Sequence, residues 1–146
     1  MAYLPKGAWV VVADQGRAIV LENTGPAMAP DLRRIDEIAA EVAEATDRPG
    51  RMPDPGPGQR SALEEADLPR LAGERMIRDL TARLGTAARD GRFDALVIVA
   101  APQVLGAFRA ARCDAVAGRV VAELDRNLIS QPLPKIADAV QRVLAA

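Results

Sequence analysis

The sequence predicts an α/β protein with a single five-stranded mixed sheet and helices on both faces. Two apolar runs rich in β-branched residues, AWVVVAD (8–14) and FDALVIVAAP (93–102), are typical of buried strands. After an opening group of strands, helical and strand-like segments alternate. The resulting order, β-β-(β)-loop-α-β-α-β-α, favours helices packed on a sheet that has parallel and antiparallel pairs.

The first third of the chain predicts a hairpin and then an ambiguous segment. A Gln-Gly turn separates AWVVVAD from RAIVLEN (17–23), so the two runs form antiparallel neighbours. In 31–45 the apolar residues fit helical spacing, and a third strand over 31–38 fits the same residues. The sequence leaves both interpretations open.

A long loop follows at about 44–67, and it includes the stretch DPGPGQRSA (54–62). Proline and glycine recur in it, and apolar periodicity is missing. Loops of this length inside a small domain are usually functional or disordered. We therefore expect 46–62 to be the most mobile or least ordered part of the chain.

Four elements are predicted after the loop. Asp67 is expected to cap a helix with Pro69 in its first turn and Gly91 at its end. Its apolar stripe consists of Leu71, Ile77, Leu80, Leu84 and Ala88. After strand 93–102, Pro102 opens a short helix that carries Leu105 and Phe108, and GRVVAELD (118–125) is a strand. The last helix begins at Pro132 or Pro134, with Ile136, Val140, Val143 and Leu144 on one face.

Composition excludes several classes of site. The 146-residue chain has no histidine, which rules out histidine-based acid–base catalysis and histidine-ligated metals. Its single cysteine, Cys113, can form neither an internal disulfide nor a cysteine zinc site, and we interpret it as a packing residue near a helix end. We predict no cofactor and no metal.

Charge and hydropathy limit the partners. The net charge is −1, so any contact with nucleic acid must come from a local patch, and DNA is not an expected partner. The apolar run from Ala8 to Ala13 is too short for a signal peptide or a membrane span. We therefore expect a cytoplasmic protein that does not insert into membranes.

Four segments carry a resemblance that covers nearly the whole chain: WVVVADQGRAIVLEN, TDRPGR, GRFDALVIVAAPQVLGAFRAA and VVAELDRNLISQPLPKI. In these segments the chain resembles the bacterial host-attachment protein family, described as proteins required for attachment to host cells. That family is similar to the middle domain of eukaryotic and archaeal class-1 peptide release factors. The resemblance implies one domain over 1–146 with a ribonuclease H-like fold, whose element order matches the one derived above.

The release factors carry a Gly-Gly-Gln loop, followed by Ser-Ala, between the third strand and the first long helix. Here GPGQRSA (56–62) stands at that place in the order. In peptidyl-tRNA hydrolysis an ester is cleaved by water, and Gln59 offers a donor and an acceptor without charge, while Gly56 and Gly58 allow close backbone approach. Pro57, however, removes a backbone donor between the two glycines and restricts Gly56. We therefore favour a non-catalytic loop and keep Gln59 as a candidate catalytic residue.

The same loop has features of an anion- or RNA-binding segment. Arg48, Arg51 and Arg60 bring three guanidinium groups that suit phosphates, and Gly50 lies between the first two. The alternative is that these arginines are only solvated surface residues of an arginine-rich chain. A phosphate loop of the Walker type is excluded because Gln59, not lysine, follows Gly58.

A nuclease remains a weaker hypothesis. Its metal chemistry needs several carboxylates that converge at strand ends. Asp14 and Asp125 end predicted strands and Glu74 lies on the first helix, but the end of strand 93–102 has no carboxylate. Acidic residues at strand ends are more often turn residues or helix caps.

The sequence thus favours a non-catalytic, cytoplasmic, release-factor-like domain that contacts the ribosome or tRNA through 46–62. One alternative is an interaction or regulatory protein that supports attachment to host cells indirectly. The other is a degenerate peptidyl-tRNA hydrolase that uses Gln59.

Overall fold

The computed structural model describes residues 3–41 and 62–145. The described residues form, in chain order, β1 (Trp9–Ala13), β2 (Arg17–Asn23), β3 (Leu32–Ala39), α1 (Ala62–Arg89), β4 (Leu96–Ala100), α2 (Pro102–Ala111), α3 (Asp114–Ala117), β5 (Val120–Asp125) and α4 (Leu133–Ala145). Nearly all of the 46–62 segment lies outside these residues, so its expected mobility stays a prediction.

The strands of the described residues form one five-stranded mixed sheet in the order β3-β2-β1-β4-β5. β2 is antiparallel to both of its neighbours, β1 and β3. β4 is parallel to β1 on one side and to β5 on the other. The predicted α/β class, the single mixed sheet and the hairpin are confirmed, and β4 lies inside the sheet. The ribonuclease H-like assignment stays a prediction.

The ambiguous segment after the hairpin is a strand, so a helix over 31–45 is wrong. Its backbone pairs with β2 along the whole length of β3. Val20 lies opposite Asp36 whereas Leu21 lies opposite Arg34, which leaves Ile35 as the extra residue of a β-bulge. Sheet pairing therefore outweighs the helical spacing of the apolar residues, because propensity is a weak prior against tertiary contacts.

Helices cover both faces of the sheet, as predicted. Trp9, Val11 and Ala13 of β1 belong to the core cluster that includes residues of α1, α2 and α3. Val10 and Val12 point to the other face and pack in the cluster that includes residues of α4. Because both faces are covered, β1 and β4 are buried along their whole length. The two uninterrupted apolar runs follow from this double burial.

The start of α1 differs from the prediction. The helix begins at Ala62, so Asp67 is not its N-cap and Pro69 lies inside it rather than in its first turn. Ser61-x-x-Glu64 has the spacing of a capping box, a sequence signal for an earlier start. Leu71 is also outside the buried stripe, with 41% of its surface exposed. The side chains that α1 buries instead include Ala72 and Met76, with Ile77, Leu80, Leu84 and Ala88 as predicted.

The end of α1 is a Schellman motif built on the predicted glycine. Gly91 has a φ of 74°, in the left-handed region. Its N–H donates to the carbonyl of Ala88 at 3.0 Å, and the N–H of Arg92 donates to the carbonyl of Ala87 at 2.9 Å. The turn brings Phe93 onto Trp9, with ring centroids 4.6 Å apart.

The remaining elements follow the predicted order with shorter bounds. β4 covers only Leu96–Ala100 of the predicted 93–102, and Pro102 is the first residue of α2, where its missing N–H costs nothing. The short helix α3 was not predicted. α4 begins at Leu133, directly after Pro132, and buries Ile136, Val140 and Leu144, while Val143 is only half-buried.

Candidate functional site at the carboxyl edge of the sheet

The site residues predicted from the sequence all lie outside the described residues: Arg48, Gly50, Arg51, Gly56, Gly58, Gln59 and Arg60. The structure does define where the chain leaves the sheet toward them. The N–H of Ala40 donates to the carbonyl of Gly16 at 2.8 Å, directly after β3 ends. The chain therefore departs beside the β1–β2 turn, at the edge where β1 and β4 have their carboxyl ends.

The β1–β2 turn is held by Asp14. Its Oδ1 accepts hydrogen bonds from the N–H of Gly16 at 2.7 Å and from the N–H of Arg17 at 2.8 Å. Its own N–H donates to the carbonyl of Arg17 at 2.9 Å. This carboxylate fixes the local backbone in the manner of an Asx turn, which is the structural role expected of an acidic residue at a strand end.

α1 touches this turn at Gly73. A Cβ atom on Gly73 would lie 2.8 Å from the carbonyl oxygen of Gln15 and 3.0 Å from its Cγ. Only a glycine permits this separation between the helix and the turn. α1 and the β1–β2 turn consequently form one continuous wall.

A cavity of about 150 Å³ lies between this wall and α2. Ile77, Val104 and Ala107 give it apolar surface, and polar groups come from Asp14, Gln15, Arg70, Glu74 and Gln103. Nη1 of Arg70 and Oε2 of Glu74 are 2.9 Å apart. The cavity sits outside the carboxyl ends of the parallel strands β1 and β4, where open α/β sheets bind their ligands.

Two of the three carboxylates of the nuclease hypothesis meet in this cavity. Asp14 and Glu74 both line it, but one is engaged by the turn and the other by Arg70. Asp125 ends β5, which β4 separates from β1. Within 3–41 and 62–145, no group of three or more His, Cys, Asp or Glu residues is placed to hold a metal ion. The described carboxylates thus do not form the cluster that this hypothesis requires.

A second charged cluster joins α2 to β5. Glu123 accepts from Nε of Arg109 at 2.9 Å, also from Nη2 of Arg109, and from Nη1 of Arg112 at 3.2 Å. The hydrogen bonds from Arg109 and the charges of both arginines lower the pKa of the Glu123 carboxyl, although burial opposes the shift. The three side chains satisfy one another, so we assign this cluster a structural role.

Cys113 is half-buried, directly precedes α3 and packs against the core cluster that includes residues of α1. This position agrees with the prediction that Cys113 is a packing residue. A Cβ on Gly85 would lie 3.1 Å from its Sγ, so the helix passes close to the thiol. The backbone N–H of Val116 is the main cause of a lowered pKa, and Arg89, 3.8 Å away, lowers it further.

A basic groove beside α4 was missed by the sequence reasoning. Its volume is about 390 Å³. We call it the α4 groove, and its lining is Arg126, Asn127, Leu128, Gln131, Lys135, Asp138, Ala139 and Arg142. The signal was present in the sequence, because Lys135, Asp138 and Arg142 follow the i, i+3, i+7 spacing of one helix face.

Comparison with known proteins assigns the chain to a family. Residues 7–140 match the Bacterial archaeo-eukaryotic release factor family 12. The chain belongs to this family. The release-factor part of the resemblance is thereby confirmed, and its host-attachment part stays a prediction.

One solved structure similar to the chain is the crystal structure of an archaeal translation termination factor, aRF1. The two are 7% identical with a TM-score of 0.49, and the match covers 93% of this chain and 38% of that factor. The chain therefore spans well under half of the factor's length. The search of curated proteins found no match. Among the helices of the described residues, none has the length and apolar character needed to cross a membrane.

Proposed function

We propose that the chain is a non-catalytic, release-factor-like domain of the cytoplasm that contacts the ribosome or tRNA through residues 46–62. Membership of a release factor family over residues 7–140 carries this proposal. The contact is made by the segment that stands, in element order, between β3 and α1. Arg48, Arg51 and Arg60 supply guanidinium groups for RNA phosphates, and Gly50, Gly56 and Gly58 allow close backbone approach.

The described ends of the segment support this role. The chain leaves β3 beside the β1–β2 turn, and α1 is pinned to the same turn at Gly73. α1 begins at Ala62, about 16 Å along the helix axis before Gly73 at 1.5 Å per residue. From Met76 onward the buried residues of the helix belong to the core cluster on one face of the sheet. The two described elements that flank the segment in the chain, β3 and α1, thus both contact the β1–β2 turn.

Ribosome binding by loop variants tests the proposal. Arg48→Ala, Arg51→Ala and Arg60→Ala should each weaken a salt-sensitive association with ribosomes, measured by co-sedimentation, because each removes a phosphate contact. Gln59→Ala should leave binding unchanged. Arg78→Ala is the matched control, since Arg78 is an exposed arginine of α1. Equal losses in the control and the loop variants would contradict the proposal.

A degenerate peptidyl-tRNA hydrolase is the second candidate, and membership of a release factor family favours it. If Gln59 positions water for ester cleavage, Gln59→Ala should abolish peptide release from ribosome-bound peptidyl-tRNA and spare binding. Gain of release activity in Pro57→Gly would identify a degraded catalytic loop. If the experiments detect neither ribosome binding nor peptide release, the ribosomal role is wrong. Indirect support of attachment to host cells is then the remaining hypothesis.

A further inference from the structure

The cations of the described residues fall into two groups. Most have a partner on the molecule: the arginines at 17, 33, 34, 70, 83, 109 and 112 form ion pairs. Arg92 lies over the ring of Trp9, and Arg119 donates to two backbone carbonyls. The second group has no side-chain hydrogen-bond or ion-pair partner among residues 3–41 and 68–145: Lys6, Arg75 and Arg78, and the three cations that line the α4 groove, Arg126, Lys135 and Arg142.

These three cations line one groove but come from two elements. Lys135 and Arg142 are two turns apart on α4, about 10 Å along its axis at 1.5 Å per residue. Arg126 lies just after β5, in the connection that leads to α4. The amide side chains of Asn127 and Gln131 line the same groove. The groove thus combines cationic groups with neutral hydrogen-bonding groups.

Asp138 is the groove's only lining carboxylate among the described residues, and it lies between the two cations of α4. Three cations and one carboxylate leave the groove with an excess of two positive charges, in a chain whose net charge is −1. Cations that are not neutralised within the fold keep their full attraction for an external polyanion. Asp138 opposes that attraction.

We propose that the α4 groove binds the phosphate backbone of RNA, at a surface separate from the 46–62 segment. Guanidinium and ammonium groups pair with phosphate oxygens, and the amides of Asn127 and Gln131 can bond the 2′-hydroxyl that distinguishes RNA from DNA. A membrane surface is a poorer fit, because binding there relies on exposed apolar side chains or on clusters of about four to eight cations, whereas the groove has three cations. The exposed large apolar residues of the described chain lie outside this groove: Tyr3, Met28, Ile35, Leu71 and Val121.

The connection between β5 and α4, which supplies part of the groove's lining, contacts the turn beside which the chain leaves β3. Nη2 of Arg17, next to the β1–β2 turn, donates to the carbonyl of Ile129 at 3.5 Å. This contact joins the connection between β5 and α4 to the carboxyl edge of the sheet. The groove is built from described residues alone, so RNA binding there stands independently of the role proposed for 46–62.

Fluorescence polarisation with a labelled 20-nucleotide single-stranded RNA tests the proposal in the full-length protein. For single strands, log K falls with log salt by about 0.7 for each phosphate neutralised, which corresponds to about five-fold in affinity per contact at 0.1 M salt. Lys135→Ala and Arg142→Ala should each weaken binding by about that factor and reduce the salt slope by about 0.7. Asp138→Asn should tighten binding, a gain that misfolding cannot produce.

Arg78→Ala removes the same charge from an exposed position on α1 and should leave the RNA affinity unchanged. Groove variants that bind RNA as wild type does, or an equal loss in Arg78→Ala, would overturn the proposal. So would binding to phosphatidylserine vesicles, with the same variant dependence, in the absence of RNA binding. A triple Arg48→Ala, Arg51→Ala, Arg60→Ala variant separates the two surfaces. If it alone loses RNA binding, the groove proposal fails and the proposed loop function stands.

Discussion

Replacement of Gly73 by alanine tests how α1 is fixed to the β1–β2 turn. Gly→Ala inside a helix normally stabilises by about 0.5–1 kcal/mol, because glycine loses more backbone entropy on folding. At Gly73 the added Cβ would lie 2.8 Å from the carbonyl oxygen of Gln15. The obstacle is backbone of the turn that Asp14 holds, so it cannot rotate away as a flexible side chain would.

The balance of these two effects is a net loss of stability. Overpacking of a well-packed region costs about 1–3 kcal/mol, which exceeds the gain in helix propensity. We therefore expect Gly73→Ala to lower the free energy of unfolding by about 0.5–2 kcal/mol. For a domain of this size the shift in Tm is roughly 2–4 °C per kcal/mol.

Gly106→Ala is the matched control, because Gly106 lies inside α2 and nothing stands within 4 Å of its added Cβ. This variant should be more stable than wild type by about 0.5–1 kcal/mol. Urea unfolding followed by circular dichroism compares the two variants, with the slope m as a check on two-state behaviour. A Gly73→Ala protein as stable as Gly106→Ala would refute the contact between α1 and the turn.

Three further changes probe other parts of the fold. Gly91→Ala should cost about 1–2 kcal/mol in urea unfolding, because Gly91 has a φ of 74° and alanine is strained there, while Gly91→Asn should cost less. Glu123→Gln should lower stability at neutral pH. That deficit should disappear as the pH falls through the lowered pKa of Glu123, since the wild-type carboxylate then protonates and loses its stabilising charge. The alkylation rate of Cys113 should rise with pH about a midpoint below that of free cysteine, and Arg89→Ala should move the midpoint upward; an unshifted midpoint would contradict the lowered pKa.

The sequence predicts the fold best where a strand is buried on both faces of the sheet. β1 and β4 are covered on both faces, so burial alone produces their uninterrupted apolar runs. β3 is an edge strand with exposed charged residues, and only its pairing with β2 distinguishes it from a helix. The start of α1 is harder to predict, because proline is favoured in the first turn of a helix, whereas α1 begins at Ala62 and continues through Pro69.

The candidate site was less predictable for a different reason. Some arginines are neutralised by local partners, but others depend on contacts between distant parts of the chain, as for Arg83 with Asp36, 3.1 Å apart across 47 residues. The sequence gives no local pattern for such pairs. The sequence therefore could not show that Lys135 and Arg142 have no ion-pair partner among the residues that the structure describes. The cavity at Gly73 likewise depends on an approach between α1 and a turn that no sequence motif marks.

Directed hydroxyl-radical probing tests the central claim, that residues 46–62 contact the ribosome or tRNA. An iron chelate is attached to Met52→Cys in a Cys113→Ala background, and the control carries it on Val121→Cys, an exposed position of β5. We predict cleavage of ribosomal RNA or bound tRNA from position 52, lost at high salt, and little from position 121. Equal cleavage from both positions, or cleavage only from position 121, would contradict the account.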